Sequence, residues 1–169
     1  TGTLTIGKLK VEEVFVFNKF KEEQVLSYGA GMSSLSEHPS AKAILSYAES
    51  NKIEPKKIRN FCEESGKGSR ATINGKEIII GKLSYLKENN VIITSNEIKE
   101  IEKAKETGVN TTLISYNKKL IGFFTLADQI KPDVKEIISK LKQLGVSKIV
   151  MLTGDNEKIA LRIAKEAGI

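Results

Sequence analysis

Tryptophan is absent from this 169-residue chain, aromatic side chains make up only 6% of it, and it has one cysteine, Cys62, and one histidine, His38. A lone cysteine excludes an internal disulfide and any paired-cysteine metal site. A lone histidine with no acidic neighbour beyond Glu37 makes a poor metal centre. With few aromatics and no RNP-like or zinc-finger pattern, nucleic-acid binding has no motif to rest on. Long apolar runs are missing too. Stretches such as Ile121–Ala127 and Ile149–Leu152 fall far short of the roughly 20 residues a membrane helix needs. No segment reads as a signal peptide.

The composition that remains is 40% hydrophobic and 28% charged, the balance of a globular protein of one ordinary domain or two small ones. The net charge of +6 comes from scattered lysines rather than a block. That pattern describes a solvated surface whose mild positive field favours anionic ligands.

Hydrophobic periodicity changes near Asp128. Before it, Leu9–Phe17 is strand-like, and helices are expected over Lys21–Leu35 and Pro39–Ser50, the second burying Ala41, Ile44, Leu45 and Ala48. Ile58–Glu64 is β-like. Ala71–Gly81 predicts a hairpin, because Asn74-Gly75 suits a two-residue type I′ turn. Thr94 and Glu97 form a capping box for a helix reaching Thr107. Asn110–Tyr116 and Lys119–Leu126 predict a second hairpin around Asn117-Lys118. After Pro132 the pattern becomes helix, strand and helix. Val134, Ile137, Ile138, Leu141 and Leu144 should form one buried face ending at Gly145. Lys148–Leu152 should be a strand, and Asn156–Ala167 a helix stopped by Gly168. Such a succession is the grammar of a parallel α/β sheet.

Four short motifs carry chemistry. The chain opens TGTLTIG, which alone suits any strand and turn. Gly66-Lys67-Gly68 and Gly81-Lys82-Leu83-Ser84 look like P-loop fragments, but residue 76 is Lys where the earlier glycine is required and residue 83 is Leu where Ser or Thr is required. A P-loop is excluded. The first of these is a flexible turn, or else bare backbone that a ligand can approach closely. His38, within Ser36-Glu37-His38-Pro39, is either a polar helix-start residue or an imidazole placed to meet a purine. Thr153-Gly154-Asp155 is a capped turn, or else a phosphoryl-binding turn at a strand end.

Taken together, these stretches resemble the heavy-metal-transporting branch of the P-type ATPases. TGTLT is similar to the end of that family's phosphorylation motif. SEHP, GKG and TGDN (Thr153–Asn156) follow in the family's order, and Asp128–Asp133 resembles its return hinge. The resemblance implies an α+β nucleotide-binding domain, residues 8–126, inserted into an incomplete HAD-like Rossmann phosphorylation domain, residues 1–7 and 127–169. It implies a cytosolic loop of a membrane pump that couples ATP hydrolysis, through an aspartyl-phosphate, to metal export. The phosphorylated aspartate and its lysine would precede Thr1.

Carried over by position, Thr1 would help coordinate Mg²⁺ through its carbonyl. Thr3 and Thr153 would hold the phosphoryl group, Gly154 would belong to the same catalytic turn, and Asp155 would lie beside the nucleotide and the hinge. Ser33, Glu37, His38, Gly66, Gly68 and Gly81 would receive ATP, Glu37 orienting His38 or capping its helix. Two positions depart from the family pattern. Ser33 stands where an acidic residue is usual, and Lys82 where asparagine is usual. Partners would be ATP and the pump's membrane, actuator and remaining phosphorylation domains. Nucleic acid and the transported metal are not expected to bind this chain. Two alternatives make different predictions. A soluble HAD-type phosphatase would leave SEHP and GKG unexplained. A basic RNA- or lipid-binding module would need clustered lysines.

Overall fold

The computed structural model describes residues 2–169 and places them in six strands and six helices. In chain order these are β1 (Thr5–Val16), α1 (Glu22–Ser33), α2 (Pro39–Ser50), β2 (Arg59–Glu64), β3 (Gly68–Ile73), β4 (Lys76–Gly81), α3 (Leu83–Glu88), α4 (Ser95–Glu106), β5 (Asn110–Tyr116), β6 (Lys119–Ile130), α5 (Val134–Gln143) and α6 (Glu157–Ala167). The strands form one antiparallel sheet in the order β1-β6-β5-β4-β3-β2.

Helices cover both faces of this sheet, and the alternation of side chains along each strand shows it. Ile78, Ile80, Ile114 and Phe124 point into a core shared with Val25, Leu26 and Ala30 of α1 and with Ile44 and Ala48 of α2. Their neighbours Ile79, Leu113 and Phe123 point the other way, into a core with Tyr85 and Leu86 of α3 and Ile101 of α4. Buried on both sides, β6 is apolar at nearly every position from Leu120 to Leu126 rather than at every second one.

Local signals in the sequence account for many element ends. The β3–β4 turn has Asn74 and Gly75 both at positive φ, 51° and 75°, as a type I′ turn demands. Thr94 Oγ1 accepts from the Glu97 N–H, and Glu97 Oε2 accepts from the Thr94 N–H at 2.7 Å, closing the expected box at the start of α4. Gly168 ends α6 in the left-handed conformation.

The last forty residues depart from expectation. Lys148–Leu152 is not a strand: no other extended segment pairs with it among the described residues, and Val150 and Leu152 are exposed. Extended backbone becomes a strand only when a neighbour takes its N–H and C=O groups. On α5, Val134 and Ile138 are buried, but Ile137, Leu141 and Leu144 are exposed. That helix packs against α6 and a small cluster containing Leu4, Ile130, Ile149 and Ile169.

Strands β1 and β6 also run further than the sequence suggests, through residues 8 and 126 to the pair Thr5↔Ile130, with a bulge between Thr5 and Leu9. Asp128 Oδ1 fills that bulge, accepting from the N–H groups of Gly7 at 3.0 Å and Lys8 at 3.1 Å. The distorted ladder would otherwise leave those two donors unpaired.

Candidate functional site

A cleft of about 560 Å³ lies between the α1–α2 corner and the β2–β3 and β4–α3 turns. Ser33, Glu37, His38, Gly66, Gly68 and Gly81 all border it, gathered from stretches up to 48 residues apart in sequence (33 to 81). Its floor is apolar, from Leu9, Ile44, Ile80 and Leu126. A concave apolar floor with a few polar groups on the rim is the usual form of a small-molecule site.

Two glycines shape this floor by letting backbones approach. Gly68 of β3 and Gly81 of β4 are direct cross-strand partners. A Cβ on Gly68 would lie 2.3 Å from the Ile80 carbonyl oxygen and 2.7 Å from Tyr85 Cδ1, and one on Gly81 would lie 2.6 Å from the Lys67 carbonyl oxygen. Gly66 is a glycine for another reason: it turns the chain at φ 74° with open space around it.

His38 is the N-cap of α2, followed by Pro39 at the first helical position. Its Nδ1 accepts from the Ser40 N–H at 3.2 Å and lies 2.7 Å from Ser40 Oγ. With Nδ1 used as an acceptor, the neutral ring carries its proton on Nε2 and offers a donor away from the helix. Glu37 neither orients this ring nor caps the helix. Its carboxylate pairs with Lys42 at 2.6 Å, and the hydrogen bond from that ammonium holds its pKa below the ordinary value. The lysine one turn into α2 is simply nearer than the imidazole. Ser33 is 3% exposed, and its Oγ has no hydrogen-bond partner. A buried hydroxyl left unpaired costs about 1–3 kcal/mol.

Sequence reasoning missed one group here. Tyr85, in the short helix α3, is fully buried beneath Gly68 and donates its hydroxyl to Glu64 Oε1 at 3.0 Å. Lys67 Nζ binds Glu88 Oε2 at 3.1 Å and approaches Glu64 at 3.8 Å. The rim cation is thereby neutralised by two carboxylates, one of them anchored to the core. Only the Lys67 between two glycines was visible beforehand; Tyr85 joins it through β3–β4 pairing.

Burial, with the Glu64 hydrogen bond second, raises the Tyr85 pKa from 10.0 to about 12. Because the folded value is the higher one, this group's contribution is complete below the unfolded value. Denaturant midpoints should therefore be unaffected by Tyr85 below pH 10 and fall between pH 10 and about 12. Tyr85→Phe should flatten that alkaline fall, and an unchanged slope in the variant would contradict the assignment.

A second cleft, of about 410 Å³, lies where the chain's two ends meet the sheet. Thr3, Thr153 and Asp155 line it together with Asp128 and Arg162, whereas Gly154 does not and has open space around it. Thr153 Oγ1 donates to Asp155 Oδ2 at 2.8 Å and accepts from the Asp155 N–H at 3.1 Å, a closed exposed turn. Arg162 of α6 grips Glu12 of β1 with two nitrogens and Glu166 with its Nε at 2.9 Å, which raises its pKa. Thr1 lies outside the described residues. These residues do not fit a magnesium site by themselves: no three His, Cys, Asp or Glu side chains come together among the described residues.

The model of the haloacid dehalogenase-like hydrolases matches residues 1–169, the whole chain. The chain belongs to that family. Among the hydrolases of this family it is similar to metal-pumping ATPases. It is 35% identical over 169 residues to a copper-exporting P-type ATPase of Vibrio cholerae, covering 100% of this chain and 18% of that protein. A zinc-transporting PIB-type ATPase, solved in its E2.Pi state, superposes with a TM-score of 0.87 at 29% identity over 100% of this chain and 27% of that one. The catalytic domain of the CPx-ATPase CopB-B, solved in work on its conformational changes upon nucleotide binding, gives a TM-score of 0.68 at 29% identity, covering 100% of this chain and 57% of that one. The chain thus spans about a fifth of the length of the pump sequences it matches.

Proposed function

We propose that this chain is the nucleotide-binding part of a heavy-metal P-type ATPase, a pump that uses ATP, through an aspartyl-phosphate, to export metal ions. The observation that carries the reading is the convergence of Ser33, His38, Gly66, Gly68 and Gly81 on one cleft. In this reading residues 8–126 bind the nucleotide, and residues 1–7 with 127–169 belong to the phosphorylation domain. The paired glycines leave a flat backbone surface on which a purine can lie, and the His38 Nε2–H donates to it or the ring stacks on it. The hydroxyl of Ser33 receives a polar edge of the base in place of its missing partner. The phosphate chain then runs toward Thr3, Thr153 and Asp155 in the second cleft, where the Thr3 hydroxyl offers a donor and that of Thr153 becomes one when it leaves Asp155. Magnesium enters this reading with the triphosphate, as part of the substrate. Which metal is exported is not encoded in these residues.

No described helix is long and apolar enough to cross a membrane. The membrane, actuator and remaining phosphorylation domains are partners in this proposal, and the chain is a cytosolic loop between them.

A chemical-shift titration with ATP tests the site, and amides of His38, Gly66, Gly68 and Gly81 should move first. His38→Asn is the informative variant, because asparagine can still cap α2. Losing the ring's contact should weaken ATP about tenfold, the worth of roughly 1.4 kcal/mol. Wild-type affinity in that variant, or shifts clustered elsewhere, would sink the assignment. Displacement of ATP by RNA at low salt would favour a basic binding module instead.

A further inference from the structure

We propose that Asn110 binds the phosphate chain of the nucleotide at the waist between the two clefts, an inference that rests on the nucleotide reading above. Among the described residues three line both openings: Leu9, Asn110 and Leu126. Asn110 opens β5 directly opposite Leu126 of β6. A nucleoside triphosphate with its base on the Gly68–Gly81 surface and its last phosphate near Thr3 and Thr153 must pass these three side chains. Two of them are hydrocarbon. Among the described residues the Asn110 amide is the one side-chain hydrogen-bonding group common to both clefts, and it is exposed.

Two of the cations lining the clefts are already committed. Lys67 at the rim of the first cleft is paired with Glu88 and Glu64, and Arg162 in the second is paired with Glu12 and Glu166. Lys82 borders the first cleft but not the second, so at the waist itself an anion meets a neutral donor. The amide offers two N–H groups to phosphate oxygens, and hydrogen bonds to charged acceptors are the stronger kind. A neutral donor also suits a passage from which product must leave, because it holds phosphate without the long-range attraction of a fixed charge.

This position separates triphosphate from nucleoside. Asn110→Ala should weaken ATP at least about tenfold, the worth of one hydrogen bond to a charged group, and leave adenosine unchanged. Asn110→Asp places a carboxylate against the phosphates. It should weaken ATP further, by an amount that shrinks as salt rises, again with adenosine unchanged. Both affinities are read by NMR titration of the 169-residue chain, whose spectra also report whether each variant is folded. Equal losses for ATP and adenosine would make Asn110 a shaper of the cleft and overturn the inference. So would wild-type ATP affinity in Asn110→Ala while His38→Asn still weakens it, leaving the nucleotide reading intact. A wild-type chain that binds neither ligand overturns both.

Discussion

Gly68→Ala is expected to lower stability by about 2 kcal/mol, within the usual cost of overpacking, and to abolish measurable ATP binding. The added methyl has nowhere to go. It would meet the Ile80 carbonyl oxygen at 2.3 Å and Tyr85 Cδ1 at 2.7 Å, the first a backbone atom in a paired strand and the second part of a fully buried ring. Relief requires β3 and β4 to separate, which breaks the surface on which the base lies. Gly66→Ala is the control. Its Cβ meets open space at φ 74°, so it should cost only the left-handed conformation, about 1 kcal/mol, and leave β3 and β4 paired. Denaturant midpoints and ATP titrations on both variants check this. A Gly68→Ala chain as stable as Gly66→Ala would mean that the two strands are not in this register.

The contrast between these glycines also marks what a sequence reveals. Gly66, Asn74-Gly75, the Thr94–Glu97 box, Pro39 and Gly168 were legible because their causes lie within a few residues of chain. The requirement at Gly68 was not, since it arises from Gly81 across the sheet. GKG stood out as a motif, while the steric reason for its second glycine depended on pairing. Lys148–Leu152 failed for the same cause in reverse: its β-rich composition was right for a strand, but no neighbour completes a ladder there. The apolar stripe on α5 was real, yet only Val134 and Ile138 meet a covering surface.

The site followed this rule. Its motifs were visible one by one, and their ATP roles came from family resemblance. Tyr85, Glu64 and the waist residue Asn110 carry no motif. Glu64 reaches the first cleft through the pairing of β2 with β3, Tyr85 lies under it through β3 with β4, and Asn110 reaches both clefts through β5 with β6.

Phe124→Ala should be the most damaging single core truncation for both stability and binding. Phe124 is 0% exposed at the middle of β6, paired with Val14 of β1 on one side and Thr112 of β5 on the other. Its ring reaches α1 so closely that a Cβ on Gly29 would lie 2.6 Å from Cζ. The absence of a side chain at Gly29 is thus matched to the presence of this ring. Truncation removes both transfer energy and packing, about 4 kcal/mol. At this chain length that is a fall of roughly 10 °C in Tm. The cavity would open under α1 and α2, the two helices whose facing ends carry Ser33 and His38. ATP affinity should therefore drop even at temperatures where the variant is fully folded. Ile101→Ala, on the opposite face of the sheet in α4, should also destabilise but leave ATP affinity unchanged. Equal effects of the two variants on ATP binding would show that the cleft is not built on the α1–α2 layer.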